Sequence, residues 1–452
     1  MYHRDDIKKI RRCRGQRGAA LIIVMGICLS LVVVAIYFSD SMLMEYRASD
    51  NSLEGREAAQ AIEGARRYLC NLLKNSANAG YMPDEDSYEM EKAQVNNAAF
   101  WIIGRDTNNI WDAKTVTFGL VGESSKININ TAPLEMLEAI PGMTAEVAAA
   151  IVDWRDSDSE MTAGGAESNY YLALDPPYNC KNGPFESMEE LRLVLGCTPA
   201  LLYGEDENQN GVLDPNEDDG DKSKPADNAD GLLDAGILEY ITVFSREPNQ
   251  RADGSARINI RTQQRELREL LQQTFGQERA GQIISSIGSV FSNLRSPLEL
   301  CVRGKMTAEE FERIDDALTV ASGQYIAGLV NVNTASAKVL ACIPGLNESL
   351  AEKLVYSRID KSPDELKCLA WVVGILDDNA CFEAGPYLTT RTYQFRADVA
   401  AVGERGRGYR RSLMIIDTAG GSSAVVYRKD MSRFGWALGS DVRKEYSGAA
   451  NE

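Results

Sequence analysis

"KININTAPLEMLEAIPGMTAEVAAAIVDWRD", residues 126–156, joins an Asn-rich strand end, a helix, a Pro-Gly turn and a second, Ala-rich helix. This order predicts a helix-hairpin-helix unit, with the Pro-Gly pair breaking the first helix and setting the hairpin. The pattern returns 203 residues later as "VNVNTASAKVLACIPGLNESLAEKLVYSR", residues 330–358. Asn128 aligns with Asn331, Asn130 with Asn333, Leu137 with Leu340, Ala148 with Ala351 and Arg155 with Arg358, and both NTA and IPG recur. Thr131 and Thr334 are placed to N-cap the first helix of each copy. A third stretch, "INIRTQQREL" (258–267), shares only the opening and is not counted as a repeat.

Hairpins of this kind in nucleic-acid enzymes grip a phosphate with backbone amides, and a second glycine lets the backbone approach closely. Here Thr144 and Asn347 stand at that place, and "TAEVAAAIVDWRD" offers one Arg against three acids. The whole chain points the same way, with 66 acidic against 48 basic residues and a net charge of −18 over 452 residues. Residues 1–18 carry a net +5, which leaves −23 for the rest. Such a body does not approach DNA or anionic lipid without a bound cation, so the hairpins are expected to be scaffold and no nucleic-acid partner is expected. The only histidine, His3, lies in the basic leader, which excludes Ser-His-Asp, Cys-His and His-ligated zinc chemistry from the body. No nucleophile-base pair can be assembled, and no catalytic residue is expected. The nine cysteines follow no metal-finger spacing. Cys180 with Cys197 and Cys368 with Cys381 are short-loop pairing candidates, and buried free thiols are the alternative.

After the leader, "AALIIVMGICLSLVVVAIYF" (19–38) is uncharged and long enough to span a bilayer. Its basic flank should stay in the cytoplasm, which places the bulk of the chain outside. The helical pattern continues to about Lys74, with Ala58, Ala61, Ile62, Ala65, Leu69 and Leu72 in one apolar stripe that needs a cover. "AFWII" (99–103) and "KTVTFGLV" (114–121) read as strands. "RTYQFRADVA" (391–400) alternates Tyr393, Phe395, Ala397 and Val399 with polar neighbours, a half-buried strand, and "RRSLMIIDT" and "SAVVYRK" follow.

Residues 206–217, "DENQNGVLDPNE", match all five specified positions of the EF-hand calcium loop. Asp206, Asn208 and Asn210 take places one, three and five, Gly211 makes the turn, and Val212 supplies a carbonyl. Asp214 takes place nine and Glu217 closes the loop. A stand-alone loop is expected, because no helix pair flanks it. "DNADGLLD" (227–234) is a partial copy without an acid at its first place. Oxygen-only ligands favour Ca²⁺.

Gly18 immediately before the apolar run resembles the class III leader of type IV pilins and type II secretion pseudopilins. That resemblance implies cleavage by prepilin peptidase between Gly18 and Ala19, with the apolar helix kept. Most of that family carries Glu at the fifth mature position, where this chain has Ile23, and the member that lacks it is the minor pseudopilin K. The stretch 151–196 resembles that member's inserted domain: "DWRDSD" (153–158), "GAE" (165–167), Tyr170-Tyr171, "PPY" (176–178) and "ELRLVLG" (190–196). Arg155 stands where the family usually has an apolar residue. The resemblance runs from Gly18 to about residue 430 and is weakest over 200–320.

The resemblance implies an α+β fold, a long N-terminal transmembrane helix packed on an antiparallel sheet that is interrupted by a large helical insert. The expected layout is a leader at 1–18, the helix at 19–75, and a discontinuous sheet domain at 95–125 and 388–435. The insert would run from 126 to 375, with repeats at 126–158 and 330–360 and the acidic calcium loop at 205–234. The family resemblance adds Asp156, Asp158 and Glu167 as calcium ligands. It implies a non-catalytic subunit at the pseudopilus tip, a single-pass inner-membrane protein with a periplasmic body. The implied partners are other minor pseudopilins, the major pseudopilin and the inner-membrane secretion platform. The alternatives are a membrane-tethered DNA-capturing competence protein and a type IV pilus minor pilin.

Overall fold

The computed structural model describes residues 16–76, 80–84, 87–88, 91–108, 115–220 and 222–449; leader residues 1–15, with His3, lie outside the described residues. Gly18 and Ala19 fall in the first turns of α1, Gln16–Ser76, a single helix of 61 residues. From Ala20 its first half is exposed on all sides, and by length and composition it can cross a membrane. Its second half lies on a sheet. Ala58, Ala61, Ile62, Ala65 and Leu69 are buried as the stripe requires, but the next member is Leu73 and not Leu72, which is half-buried. The contact line advances four residues from Leu69 because a straight helix turns once every 3.6. The three alanines leave room for the helix to seat against Phe100, Ile102, Phe395, Val399 and Met414.

The sheet has six antiparallel strands: β1 (Ala93–Val95), β2 (Ala98–Ile103), β3 (Val121–Gly122), β4 (Gln394–Val402), β5 (Arg410–Asp417) and β6 (Ala424–Asp430). The order is β1-β2-β4-β5-β6, with β3 beside β2 on the same edge of β4. Strands from before and after the insert are therefore neighbours, with Trp101 opposite Ala400. Of the strand expected over 114–121, Lys114 lies outside the described residues, and the rest pairs only in part. Phe118 makes one bridge to Ile103, Gly119 breaks the extension at φ 149°, and pairing resumes at Val121.

Strand β4 is not half-buried but buried on both faces. Phe395, Ala397 and Val399 face α1. Ala400 and Val402 are covered by Ala437 and Leu438 of the C-terminal segment. Its polar residues face the insert and are paired, Arg396 with Glu123 at 2.9 Å and Asp398 with Arg411.

The insert holds the largest core of the molecule, and it is built from three similar units. Each opens with a two-residue strand, Ile127–Asn128, Ile258–Asn259 or Val330–Asn331. Each opening strand pairs in parallel with a closing one, Ile241–Thr242, Leu318–Thr319 or Leu388–Thr389. In all three, the opening Asn side chain accepts the amide two residues on, at 2.9, 3.0 and 2.9 Å. The closing Thr hydroxyl accepts the amide two residues on, at 3.1 Å each time. Asn130, Arg261 and Asn333 each donate to a main-chain carbonyl, those of Phe185, Leu294 and Leu366. The stretch at 258–267 therefore opens a full structural unit.

In the outer units a short helix, a turn and a longer helix follow: α2 (Leu134–Glu138) and α3 (Ala145–Arg155), then later Ala337–Ala341 and Glu348–Ile359. The middle unit uses Gln264–Ile287, kinked at Gly276 with φ 81°, where Gly142 and Gly345 have 77° and 82°. Thr131 and Thr334 are not the caps. The helices open two residues later, with Pro133 and Ser336 at the N-cap, because Asn128 and Asn331 already turn the backbone at the strand end. Thr144 and Asn347, by contrast, cap the second helices, accepting the amides of Val147 and Leu350 at 3.3 and 2.9 Å. The two outer hairpins meet at matching positions, where the Cys342 thiol lies 3.2 Å from the Ala139 carbonyl. Cys180, Cys197, Cys368 and Cys381 are free thiols and buried.

Candidate cation-binding site

Two groups of side-chain oxygens that could hold a cation lie in the first unit. Helix α3 carries Asp153 on its last turn and ends at Asp156, its C-cap. The chain turns through Asp158 and returns at Gly165–Glu167, where Glu167 caps the helix Ser168–Tyr171. One ligand oxygen from each of Asp156, Asp158 and Glu167 lies within 4.8 Å of the other two. The family resemblance named these three, but not their neighbours. Four buried oxygens here accept no hydrogen bond: Asp153 Oδ2, Asp156 Oδ1, Glu167 Oε1 and Asn182 Oδ1.

The opposite oxygens are held by backbone amides, Asp153 Oδ1 by Thr162 at 2.9 Å and Glu167 Oε2 by Ser168 at 3.3 Å. Asn182 donates to the Asp158 carbonyl. A side chain at Gly165 would place its Cβ 2.1 Å from Asp153 Oδ2, so only glycine fits beside the group. Trp154, next to Asp153 in the chain, lies in the core, stacked on Phe185 and edge-on to Tyr171. Burial, then the nearby acids, push the Asp156 and Glu167 carboxyls up. Unpartnered buried acceptors cost free energy unless a cation meets them, and an all-oxygen set suits Ca²⁺. The residues fit that ion. Arg155 does not intrude: its guanidinium donates back to the Ile129 and Ala132 carbonyls, as Arg358 does to Val332 and Ala335 in the third unit.

The second group is the loop 206–217. It is inserted between the helix Pro199–Tyr203 and the closing strand of the first unit, in a longer segment, 205–234, whose base is closed by a Gly204–Ala235 bridge. Asp206 accepts the amides of Asn210 and Gly211 at 3.0 and 2.8 Å, and Asn210 accepts that of Val212 at 2.8 Å. Glu217 accepts the amides of Glu207 and Asp214, each at 3.0 Å. The Asn208 and Asn210 amides both donate to Asp214. Gly211 makes the expected turn at φ 76°. Glu217 is 1% exposed, and burial with the Asp206 and Asp214 charges pushes its carboxyl up to about 8.

The acidic copy at 227–234 is completed from outside itself. Gly231 donates to Asp218 as Gly211 does to Asp206, at 3.1 Å. Asp234 donates to Glu205 as Asp214 does to Glu217, at 3.3 Å. The flanks of the first loop thus fill the first and last places of the second, a pairing that linear pattern matching does not see.

Comparison with known proteins bears out the resemblance. Residues 128–203 match the family model described as type II secretion system (T2SS), protein K. Type II secretion system protein K of Klebsiella pneumoniae is 26% identical over 194 residues, 41% of this chain and 60% of the relative. That of Aeromonas hydrophila is 26% identical over 205 residues, 42% of this chain and 62% of the relative. The chain thus spans about three fifths of the length of the curated relatives it matches. Among solved structures, a chain of the GspK-GspI-GspJ complex from the enterotoxigenic Escherichia coli type 2 secretion system is 10% identical with a TM-score of 0.37. That alignment covers 83% of this chain and 97% of the other.

Proposed function

We propose that this chain is a non-catalytic minor pseudopilin of a type II secretion system, a K-like subunit that helps start pseudopilus assembly for protein export. The observation that carries the reading is the position of the matched segment. Residues 128–203 sit in an insert between strands of a sheet that packs on a 61-residue, apolar-headed helix. Ile23 in place of the usual Glu supports a place at the tip, where no subunit stacks above. The inner membrane would hold α1, with the body in the periplasm after prepilin peptidase cuts at Gly18. Calcium at Asp156, Asp158 and Glu167, extended by Asp153 and Asn182, belongs to this reading, and so does calcium in the 206–217 loop. The unpartnered oxygens support the first and the pattern match supports the second.

The test is co-purification of the full chain, extracted from membranes, with its neighbouring pseudopilins. The expected result is a defined hetero-complex in which this chain begins at Ala19 by intact mass. Recovery along the whole length of purified filaments, or with Met1 retained, would overturn the reading.

A further inference from the structure

The loop 206–217 does more than close on itself. Its side chains at 206, 208, 210 and 217 turn inward and are buried. Its carbonyls at 208, 209 and 210 turn outward and meet two arginines that belong to the sheet domain. Arg105, just past β2, donates to Asn210 O at 2.9 Å and Gln209 O at 3.1 Å, and to Glu239 at 3.0 Å. Arg411 on β5 donates to Asn208 O and to Gln209 O, the latter at 2.7 Å. Its guanidinium is fully buried and held by Asp398 on β4. Asn208 also donates to the Trp436 carbonyl at 3.1 Å, in the segment that covers the far face of the sheet. A side chain at Gly211 would strike Arg105, with its Cβ 2.6 Å from Nε. The loop, inserted in the helical part, is thus fastened to three separate pieces of the sheet domain.

These contacts use carbonyls that the EF-hand pattern leaves free, since its one main-chain ligand is at place seven, here Val212. Cation binding and arginine binding therefore do not compete. They support each other, because Asp206 and Glu217 hold the loop's turns through the amides of Asn210, Gly211, Glu207 and Asp214, and those turns carry the three carbonyls. Three acids on one short loop repel without a cation, and a loop that opens takes the acceptors away from two largely buried guanidiniums. We infer that the loop is a calcium-dependent clasp that locks the helical insert onto the sheet, with Arg105 and Arg411 as its catches. A cleft of ≈ 70 Å³ lined by Arg105, Tyr203, Glu239, Asp398 and Tyr427 runs along the same seam. The inference rests on the calcium reading of this loop.

Hydrogen exchange of the full chain in detergent, with millimolar Ca²⁺ against chelator, tests it. Calcium should slow exchange several-fold in loop amides 206–217 and also in β4 and β5. Glu217→Gln should abolish both effects, while Glu167→Gln, at the other ligand group, should leave them. Arg105→Ala should keep calcium protection in the loop but lose most of it in the strands. A wild-type loop that ignores calcium overturns the loop's calcium reading and the clasp with it. A loop that responds while the strands do not overturns the clasp alone. Strand protection that survives Glu217→Gln shows the ion acting elsewhere, and also overturns it.

Discussion

Arg358 shows how much one side chain can organise. It is 3% exposed and donates to the carbonyls of Val332 and Ala335 at 2.9 and 2.7 Å, to Asn108 at 2.9 Å and to Thr107 O at 2.7 Å. Burial lowers its pKa to about 10, yet it stays charged at neutral pH. Arg358→Ala strands two carbonyls at a buried turn, and each unmet group costs ~1–3 kcal/mol. Urea unfolding should show a loss of ~2–4 kcal/mol, with Arg358→Lys recovering only part because an ammonium cannot span both acceptors. The alignment of Arg155 with Arg358 was visible in the sequence, but the role was not. A pattern shows that two arginines recur and cannot show that both point back at their own first turn.

Glu239 gives a pH signature at the same scale. Burial would raise its pKa, but the charges of Arg105, Lys126 and Arg396 outweigh that and hold it at about 2. A carboxyl depressed in the folded state adds stability above its unfolded pKa, near 4.5, and loses it as pH falls towards 2. At neutral pH that contribution is at most ~3 kcal/mol, and less after screening, since the side chain is 27% exposed. Acid titration of stability should show a shallower decline between pH 4.5 and 2 in Glu239→Gln than in the wild type. An identical slope would remove Glu239 from the account of acid sensitivity.

Among the elements, strongly periodic ones were legible and irregular ones were not. The stripe from Ala58 to Leu69 follows from a period of 3.6, and β4 was read from a period of 2 although both its faces are buried; β2, β5 and β6 were legible as short apolar runs. The middle unit escaped because Arg261 replaces the Asn of its sisters and its hairpin glycine, Gly276, follows Phe275 instead of proline. Its hydrogen bonds are nonetheless the same, since any donor of the right length reaches the Leu294 carbonyl. Asp153 and Asn182 escaped for a different reason: they join the first ligand group only once α3 and the returning chain are folded together. Calcium should raise the melting temperature of the chain, by a stabilisation of ~1–3 kcal/mol at saturating millimolar ion. Glu167→Gln and Glu217→Gln should each remove part of that rise and the double variant nearly all of it. A double variant with the full response would place the ion outside both groups.

For the whole molecule, the question is whether hairpins of a DNA-gripping pattern can meet DNA at all. The body carries −23, so a duplex is repelled before any contact forms. Local geometry adds to this. The Pro344-Gly345 turn is packed under the helix Asp378–Ala384, where a Cβ on Gly345 would lie 2.6 Å from that of Glu383 and 3.1 Å from its carboxylate. A phosphate entering there would meet an acid. The Pro141-Gly142 turn is exposed, but its neighbours are Glu138 and Glu146, and its second helix is capped by Thr144 in the place a second glycine would take. The outer hairpins also contact each other through Ala139 and Cys342, which spends part of their surface on packing within the insert. The expected outcome is no mobility shift of a duplex at physiological salt by the full chain in detergent. Phosphate-driven binding strengthens steeply as salt falls, so a titration down to ~50 mM is the stringent form of the test. A micromolar shift that weakens with added salt would favour a DNA-capturing role over a scaffold. The same assay with calcium present is the control, since cations at the two candidate groups would reduce the local negative charge without creating a basic hairpin face.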